Sequence, residues 1–178
     1  MRRTANLAVA AVVASALFAG SVEAQDPRPL ELGIDAGVTF GLDDPNVTVI
    51  GIPLQNFRLG FMMNDRVGIE PSVALNSIRA DGDNFTTYSL AVGLLWHFTS
   101  FRSGPYFRPF IGVNGFSGDD IDGVSQFFVG AGFGIKIPVV DERLAWRLEA
   151  NFAHAFDDDD VEGGSQIGLR AGLSFFTR

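Results

Sequence analysis

Residues 87–98 read TYSLAVGLLWHF. Alternate positions part cleanly: Tyr88, Leu90, Val92, Leu94, Trp96 and Phe98 fall on one side, Ser89, Ala91, Gly93, Leu95 and His97 on the other. A period of two is that of a β-strand, whose successive side chains point to opposite faces. In a soluble sandwich the large apolar face would turn inward, and the second face would carry charged and hydroxyl side chains for water. Here the second face is too small and too rich in glycine for that role. It suits the interior of a narrow barrel, where room is short. An apolar face turned outward and a small or polar face turned inward is the polarity that lipid selects.

The same alternation recurs along the chain. Segments of about ten residues occupy 30–40, 53–63, 67–78, 87–98, 105–116, 125–137, 142–156 and 165–176. Pro105 and Pro109 weaken the fifth, because proline removes a ladder donor. In the sixth, Phe127, Val129, Ala131, Phe133, Ile135 and Ile137 oppose Gln126, Phe128, Gly130, Gly132, Gly134 and Lys136. None has a helical period. An even number of such segments predicts an all-β fold, an eight-stranded antiparallel up-and-down transmembrane β-barrel. The competing reading is a soluble secreted β-barrel, which a chain with the single lysine Lys136 fits poorly.

The rest of the composition agrees. At 178 residues the chain is long enough for one domain and a short leader. The leader is legible: Arg2 and Arg3 precede an apolar run from Leu7 to Phe18, and Val22-Glu23-Ala24 suits small-residue cleavage. We expect a secretory signal peptide at 1–24, Sec-type export to the periplasm, and a barrel domain over 25–178. The run is too short for a membrane-spanning helix. The net charge is −8, and losing Arg2, Arg3 and Glu23 makes the mature chain one unit more acidic. Such a chain has no footprint for nucleic acid, which is bound through basic patches. Without cysteine there are no disulfides, thiolate metal sites or thiol catalysis.

Aromatic residues gather near both predicted strand ends. Trp96, Trp146, Phe61, Phe98, Phe101 and Phe175 lie toward one, and Phe40, Phe85, Tyr88, Phe116 and Phe156 toward the other, as in the two girdles of a membrane barrel.

Acidic residues gather at one end only. The connections GLDDPN (41–46), ADGDNF (80–85), FSGDDIDG (116–123) and FDDDDVEGG (156–164) alternate with the turns near Asp65, Ser100 and Asp141. Reading the acidic set as the longer one makes these the external loops. Solvation of loops leaving an apolar band explains such acidity. A sharper expectation is loose binding of Ca²⁺ or Mg²⁺ by Asp81, Asp83, Asp119, Asp120, Asp122, Asp157, Asp158, Asp159 and Asp160, since hard cations take oxygen ligands. No spacing matches an EF-hand. No other cofactor is expected.

Inward positions carry Glu31, Asp35, Arg58, Glu70, His97, Arg108, Lys136, Arg147, Glu149 and Arg170, nearly all in the half nearer the periplasm. Charges in a narrow lumen must be paired. We expect an ionic network in which Arg58, Arg108, Arg147 and Arg170 neutralise Asp35, Glu70 and Glu149. Above it, Thr39, Ala74, Asn76, Ser89, Asn114, Gln126, Asn151 and Gln166 would line a water-filled vestibule.

FRLGFMMNDRVGIEPSVAL (57–75), a strand-turn-strand unit, and the final strand IGLRAGLSFF (167–176) are similar to segments of the small eight-stranded outer-membrane barrels. The mature chain as a whole resembles this superfamily, the OmpA transmembrane-domain, OmpX and OmpW-like group. The resemblance implies an outer-membrane location, lipid and lipopolysaccharide as surroundings, a monomer, and recognition of the last strand by the barrel-assembly machinery. That strand departs from the usual aromatic terminus by ending Phe176-Thr177-Arg178. The implied role is structural or surface-interactive through the acidic loops, with the lumen closed. The alternative is a narrow cation-selective or small-solute pore. Some barrels of this kind modify lipid A, but neither His154 nor His97 has a serine suitably placed along its own strand. We expect no enzyme.

Overall fold

A computed structural model describes residues 29–43, 48–80, 83–118, 121–140, 143–158 and 162–177. The leader lies outside them. The eight strands are β1 (Leu30–Gly41), β2 (Thr48–Met62), β3 (Val67–Ala80), β4 (Asp83–His97), β5 (Gly104–Gly118), β6 (Ile121–Val140), β7 (Leu144–Ala155) and β8 (Gly164–Phe176). Each pairs antiparallel with its neighbours in sequence, and β1 also pairs with β8, so the sheet closes into a barrel. Closure removes the edges that an open sheet would expose to lipid. Thr177 N donates to Leu30 O (2.9 Å) and Leu30 N to Thr177 Oγ1 (2.8 Å), tying the last described residue to the first strand.

The alternation read from residues 87–98 decides which face meets the surroundings. Trp96 is 57% exposed and Leu95 not at all. On β6, Phe133, Ile135 and Ile137 are exposed while Lys136 between them is buried. The apolar exterior and charged interior invert the order of a soluble protein.

Several strands run longer than their alternation predicted. β2 begins at Thr48, and its register with β1 jumps from Asp35↔Asn56 to Gly37↔Gly51. Pro53 sits within the segment skipped, where a missing donor costs no ladder bond. Pro105 and Pro109 do not break β5, which pairs with β6 from Gly104↔Lys136 to Gly118↔Ile121.

The same lengthening corrects the view of the acidic connections. Ala80 pairs with Asp83, so the ladder between β3 and β4 takes up most of the segment 80–85. Gly118 pairs with Ile121, so the ladder between β5 and β6 likewise takes up most of the segment 116–123. Two of the four acidic segments therefore belong largely to strands and not to long loops, and Asp83 and Asp122 lie within β4 and β6.

A second correction concerns Phe101. It is buried and packs in a floor with Met62, Leu95, Tyr106, Ala145 and Phe176, meeting Phe176 edge-on at 5.8 Å. It belongs to the plug at the barrel's base and not to a girdle. Trp96, Phe98, Trp146 and Phe156 are exposed, and Phe61 is half-buried. Tyr88 lies outside, its ring over Gly115, where an added Cβ would collide with it.

Candidate functional site: the closed ionic lumen

Large polar side chains fit inside this barrel because the ladder sets a glycine beside most of them. Across neighbouring strands Glu31 faces Gly60, Arg58 faces Gly33, Glu70 faces Gly93, Arg108 faces Gly132, Glu149 faces Gly134 and Arg147 faces Gly172. A Cβ built at Gly132 would come within 2.8 Å of the Glu149 carboxyl carbon, and one at Gly134 would overlap Tyr106 Oη. The glycines that sequence alternation places inward are clearance for charged neighbours.

Four carboxylates and four cations then meet in one cluster. Arg58 holds Asp35 by a fork, Nε to Oδ2 at 2.5 Å and Nη2 to Oδ1 at 2.8 Å, while its Nη1 donates to Glu31 and Glu70 at 3.2 Å each. Arg147 forks onto Glu70 and donates through Nη2 to Glu149 Oε2 (2.8 Å) and through Nε to Tyr106 Oη (2.5 Å). Arg108 takes Glu149 from the other side, Nη2 to Oε1 at 2.6 Å and Nε to Oε2 at 3.0 Å. The Tyr106 hydroxyl in turn donates to Glu149 Oε2 (2.9 Å). Lys136 spends its ammonium on Glu31, Phe101 O (2.9 Å) and His97 Nε2 (3.0 Å). That last bond places the His97 proton on Nδ1, 3.3 Å from Arg66 O.

Burial makes these bonds matter. All eight ionised residues are at most 5% exposed, and apolar layers close the cluster on both sides. Below lies the Met62–Phe176 floor. Above, Phe110 and Phe128 meet edge-on at 6.1 Å against Ala153, and the Arg108 guanidinium stacks on Phe110 at 4.5 Å. This aromatic layer corrects the expectation that only small and neutral polar groups line the lumen above the charges. Thr39, Ser89, Asn114, Gln126 and Gln166 are half-buried.

Of the residues expected in the network, the structure brings together Asp35, Arg58, Glu70, Arg108, Arg147 and Glu149. It leaves Arg170 outside the bonded set: among the described residues that guanidinium has no hydrogen bond and no ion pair, although Glu149 and Asp35 attract it through space. Glu31 and Lys136, placed inward but not assigned to the expected network, join it. Tyr106 and Ser174, the latter donating to Glu31 Oε1 (2.6 Å), were missed. Tyr106 shares the parity of Arg108, which is the signal that would have found it.

At the acidic end, the side chains of Asp81, Asp83, Asp119, Asp120, Asp122, Asp159 and Asp160 fall outside the described residues. Asp157 and Asp158 are exposed, and Asp157 Oδ1 accepts from Gly163 N (2.6 Å). Among the described residues no three metal-capable side chains gather. On the outer wall His154 Nδ1 lies 3.0 Å from Ser165 Oγ. The register His154↔Ser165 makes this a cross-strand pair, invisible to a search along one strand. Among the described residues no carboxylate contacts the imidazole, and Asp43 accepts from Ser165 N instead.

No curated protein sequence matches the chain. Its fold is similar to Neisserial surface protein A, with a TM-score of 0.63 and 16% identity over 82% of this chain and 96% of that one. It is also similar to Ail, the attachment invasion locus protein of Yersinia pestis, with a TM-score of 0.52 and 13% identity over 84% and 99%. Ail in a phospholipid bilayer nanodisc aligns at a TM-score of 0.51 with 14% identity over the same shares. The family described as "Outer membrane protein beta-barrel domain" matches residues 7–175. An eight-stranded closed barrel with apolar walls, a charged interior and that match over nearly its whole length belongs to the outer-membrane β-barrel family.

Proposed function

We propose that the protein is a closed outer-membrane barrel that works at the cell surface through its acidic end. The observation that carries this reading is the lumen: four cations and four carboxylates, mutually bonded and shut between apolar layers. Removing ions from water costs several kcal/mol each, and only dense pairing offsets it. An ion crossing this cluster would have to break such pairs. The acidic end faces outward, because the chain ends of an even-stranded barrel share the other face with the turns at 63–66 and 98–103.

Outer-membrane lipid surrounds the exposed apolar wall, lipopolysaccharide borders its outer rim, and the barrel-assembly machinery inserts the chain by way of β8. The barrel acts as a monomer and has no nucleic-acid partner. The names of its structural relatives, a surface protein and an attachment invasion locus protein, accord with a role at the surface.

Planar-bilayer recordings of the refolded protein test the reading. The expected result is a folded barrel, recognised by heat-dependent gel mobility, that passes no discrete current steps. Cation-selective steps would establish the narrow pore instead, with the acidic end as an attracting vestibule.

The acidic end attracts Ca²⁺ or Mg²⁺ as a diffuse field and not as a chelating site. Millimolar calcium should raise the thermal midpoint and slow proteolysis of the segment around Asp157, and magnesium should do the same. An unchanged midpoint and cleavage rate would remove cation binding from the account.

The pair His154–Ser165 favours a second reading, acyl transfer on lipid. It lacks a carboxylate to orient the imidazole, which a serine nucleophile needs. We read it as two polar groups satisfying each other at the edge of the apolar wall, and the protein as no enzyme.

A further inference from the structure

Among the described residues one cation inside the barrel, Arg170, makes no direct hydrogen bond or ion pair, and Glu149 and Asp35 act on it only through space. The buried cluster is neutral as a set, since Arg58, Arg108, Lys136 and Arg147 balance Glu31, Asp35, Glu70 and Glu149. Arg170 is the surplus charge. Its register partner Glu149 already accepts four hydrogen bonds, two from Arg108 and one each from Arg147 and Tyr106, and a carboxylate offers about four lone-pair sites. Asp35 is held by the Arg58 fork. Both carboxylates nearest Arg170 are thus held by other side chains, and neither bonds to its guanidinium.

Its exposure points the same way. Every ionised residue of the cluster is buried, but Arg170 is half-buried although it faces inward, so what it retains of solvent lies in the lumen. Gly37 beside it allows this: the Arg170 Cγ lies 3.1 Å from where a Cβ would stand.

A second unpartnered group lies next to it. Asn151 is 7% exposed, and among the described residues its Nδ2 is buried without a hydrogen-bond partner. Its amide packs against Gly168, two residues along β8 from Arg170. The registers Glu149↔Arg170 and Asn151↔Gly168 make Asn151 and Arg170 diagonal neighbours on the inner wall, with Cα atoms about 7–8 Å apart and a long side chain able to close the gap. A buried donor left unpaired is costly enough to demand an explanation.

We propose that Arg170 and Asn151 form a subsite for one small carboxylate, reached through the lumen from the acidic end. The guanidinium fork matches the two oxygens of a carboxylate, and the amide N–H supplies a further donor. One surplus positive charge compensates one negative charge. A dianion would be left half-compensated, after passing a rim that exposes Asp43, Asp157, Asp158 and Glu162. Phe110 and Phe128 fill the lumen at the same end of the cluster, so the occupant is a short one. The subsite stands independently of the surface role, because it rests on Arg170 and Asn151 and not on the rim.

Acetate is the probe. The refolded full barrel in detergent micelles, with asparagine side chains labelled by ¹⁵N, is titrated with sodium acetate at constant ionic strength, fluoride being the balancing salt. We expect a saturable shift of the Asn151 amide with a Kd on the order of 1 mM. Arg170→Gln should weaken acetate at least tenfold while leaving heat-dependent mobility intact. A shift that never saturates, one that persists unchanged in Arg170→Gln, or one that chloride reproduces at the same concentration would overturn the proposal. Should Arg170→Gln fail to refold, Arg170→Lys keeps the charge and removes the fork. Acetate must then bind at least threefold more weakly, and undiminished affinity overturns the carboxylate geometry.

Discussion

Arg147→Ala should cost the barrel about 3–5 kcal/mol of stability, the range found when one partner of a buried ion pair is removed. The guanidinium serves four acceptor atoms at once: both oxygens of Glu70, Oε2 of Glu149 and the hydroxyl of Tyr106. Its loss leaves Glu70, wholly buried, with Arg58 at 3.2 Å and Arg108 at 3.7 Å as remaining cations, and leaves the cluster one unit negative. Water cannot easily restore what is lost, because the Phe101–Phe176 floor and the Phe110–Phe128 layer close both sides. Denaturant midpoints of the refolded protein measure the cost. Glu70→Ala should be similarly harmful, and the double variant should lose less than the two singles together by about 1–3 kcal/mol, the size of coupling expected for direct partners. An Arg147→Ala cost below about 1 kcal/mol, typical of an exposed pair, would show that water screens the cluster. A closed lumen would fall with that result.

The two halves of this structure differ in how far sequence carries them. Which face of each strand meets lipid is local information, because the period of two is written in any ten residues such as 87–98. Closure follows almost as directly from the even number of strands. Which charge pairs with which is not local. The bonds from Arg147 on β7 reach Glu70 on β3 across the lumen, and that meeting depends on the stagger of every strand between them. The expected network therefore contained the right Arg58 and Glu149 but also Arg170, which Glu149 and Asp35 attract while bonding to other guanidinium groups. Phe101 looked like a girdle residue because position near a strand end does not say whether a turn folds beneath the barrel, where its carbonyl accepts from Lys136. Acidic segments looked like long loops because Asp and Gly are poor strand formers, although the ladders carry Asp83 and Asp122 within β4 and β6. His154 and Ser165 escaped for the plainest reason: they are neighbours across a ladder, not along a strand.

Gly172→Ala should lower stability by about 1–3 kcal/mol, although replacing a glycine within a strand by alanine ordinarily gains about 0.5–1 kcal/mol. The sign reverses because of where the new methyl would go. A Cβ at Gly172 would overlap the Asp35 carboxylate and the backbone carbonyl of Ile34, and would stand 2.9 Å from the Asp35 Cα. A side chain can rotate away, but a carbonyl held in the ladder cannot. The β1–β8 seam, which closes the barrel through pairs such as Asp35↔Gly172 and Ile34↔Leu173, would have to widen. Moving Asp35 also disturbs the Arg58 fork, so a local collision reaches the ionic cluster. Gly164→Ala is the control, since only Asp43 Oδ2 at 3.2 Å meets its Cβ, and its effect should stay within about 0.5 kcal/mol. Unfolding midpoints of the two variants, measured side by side, decide the matter. Equal midpoints would mean that the seam yields without cost, and that the inward glycines are not there to make room for charge.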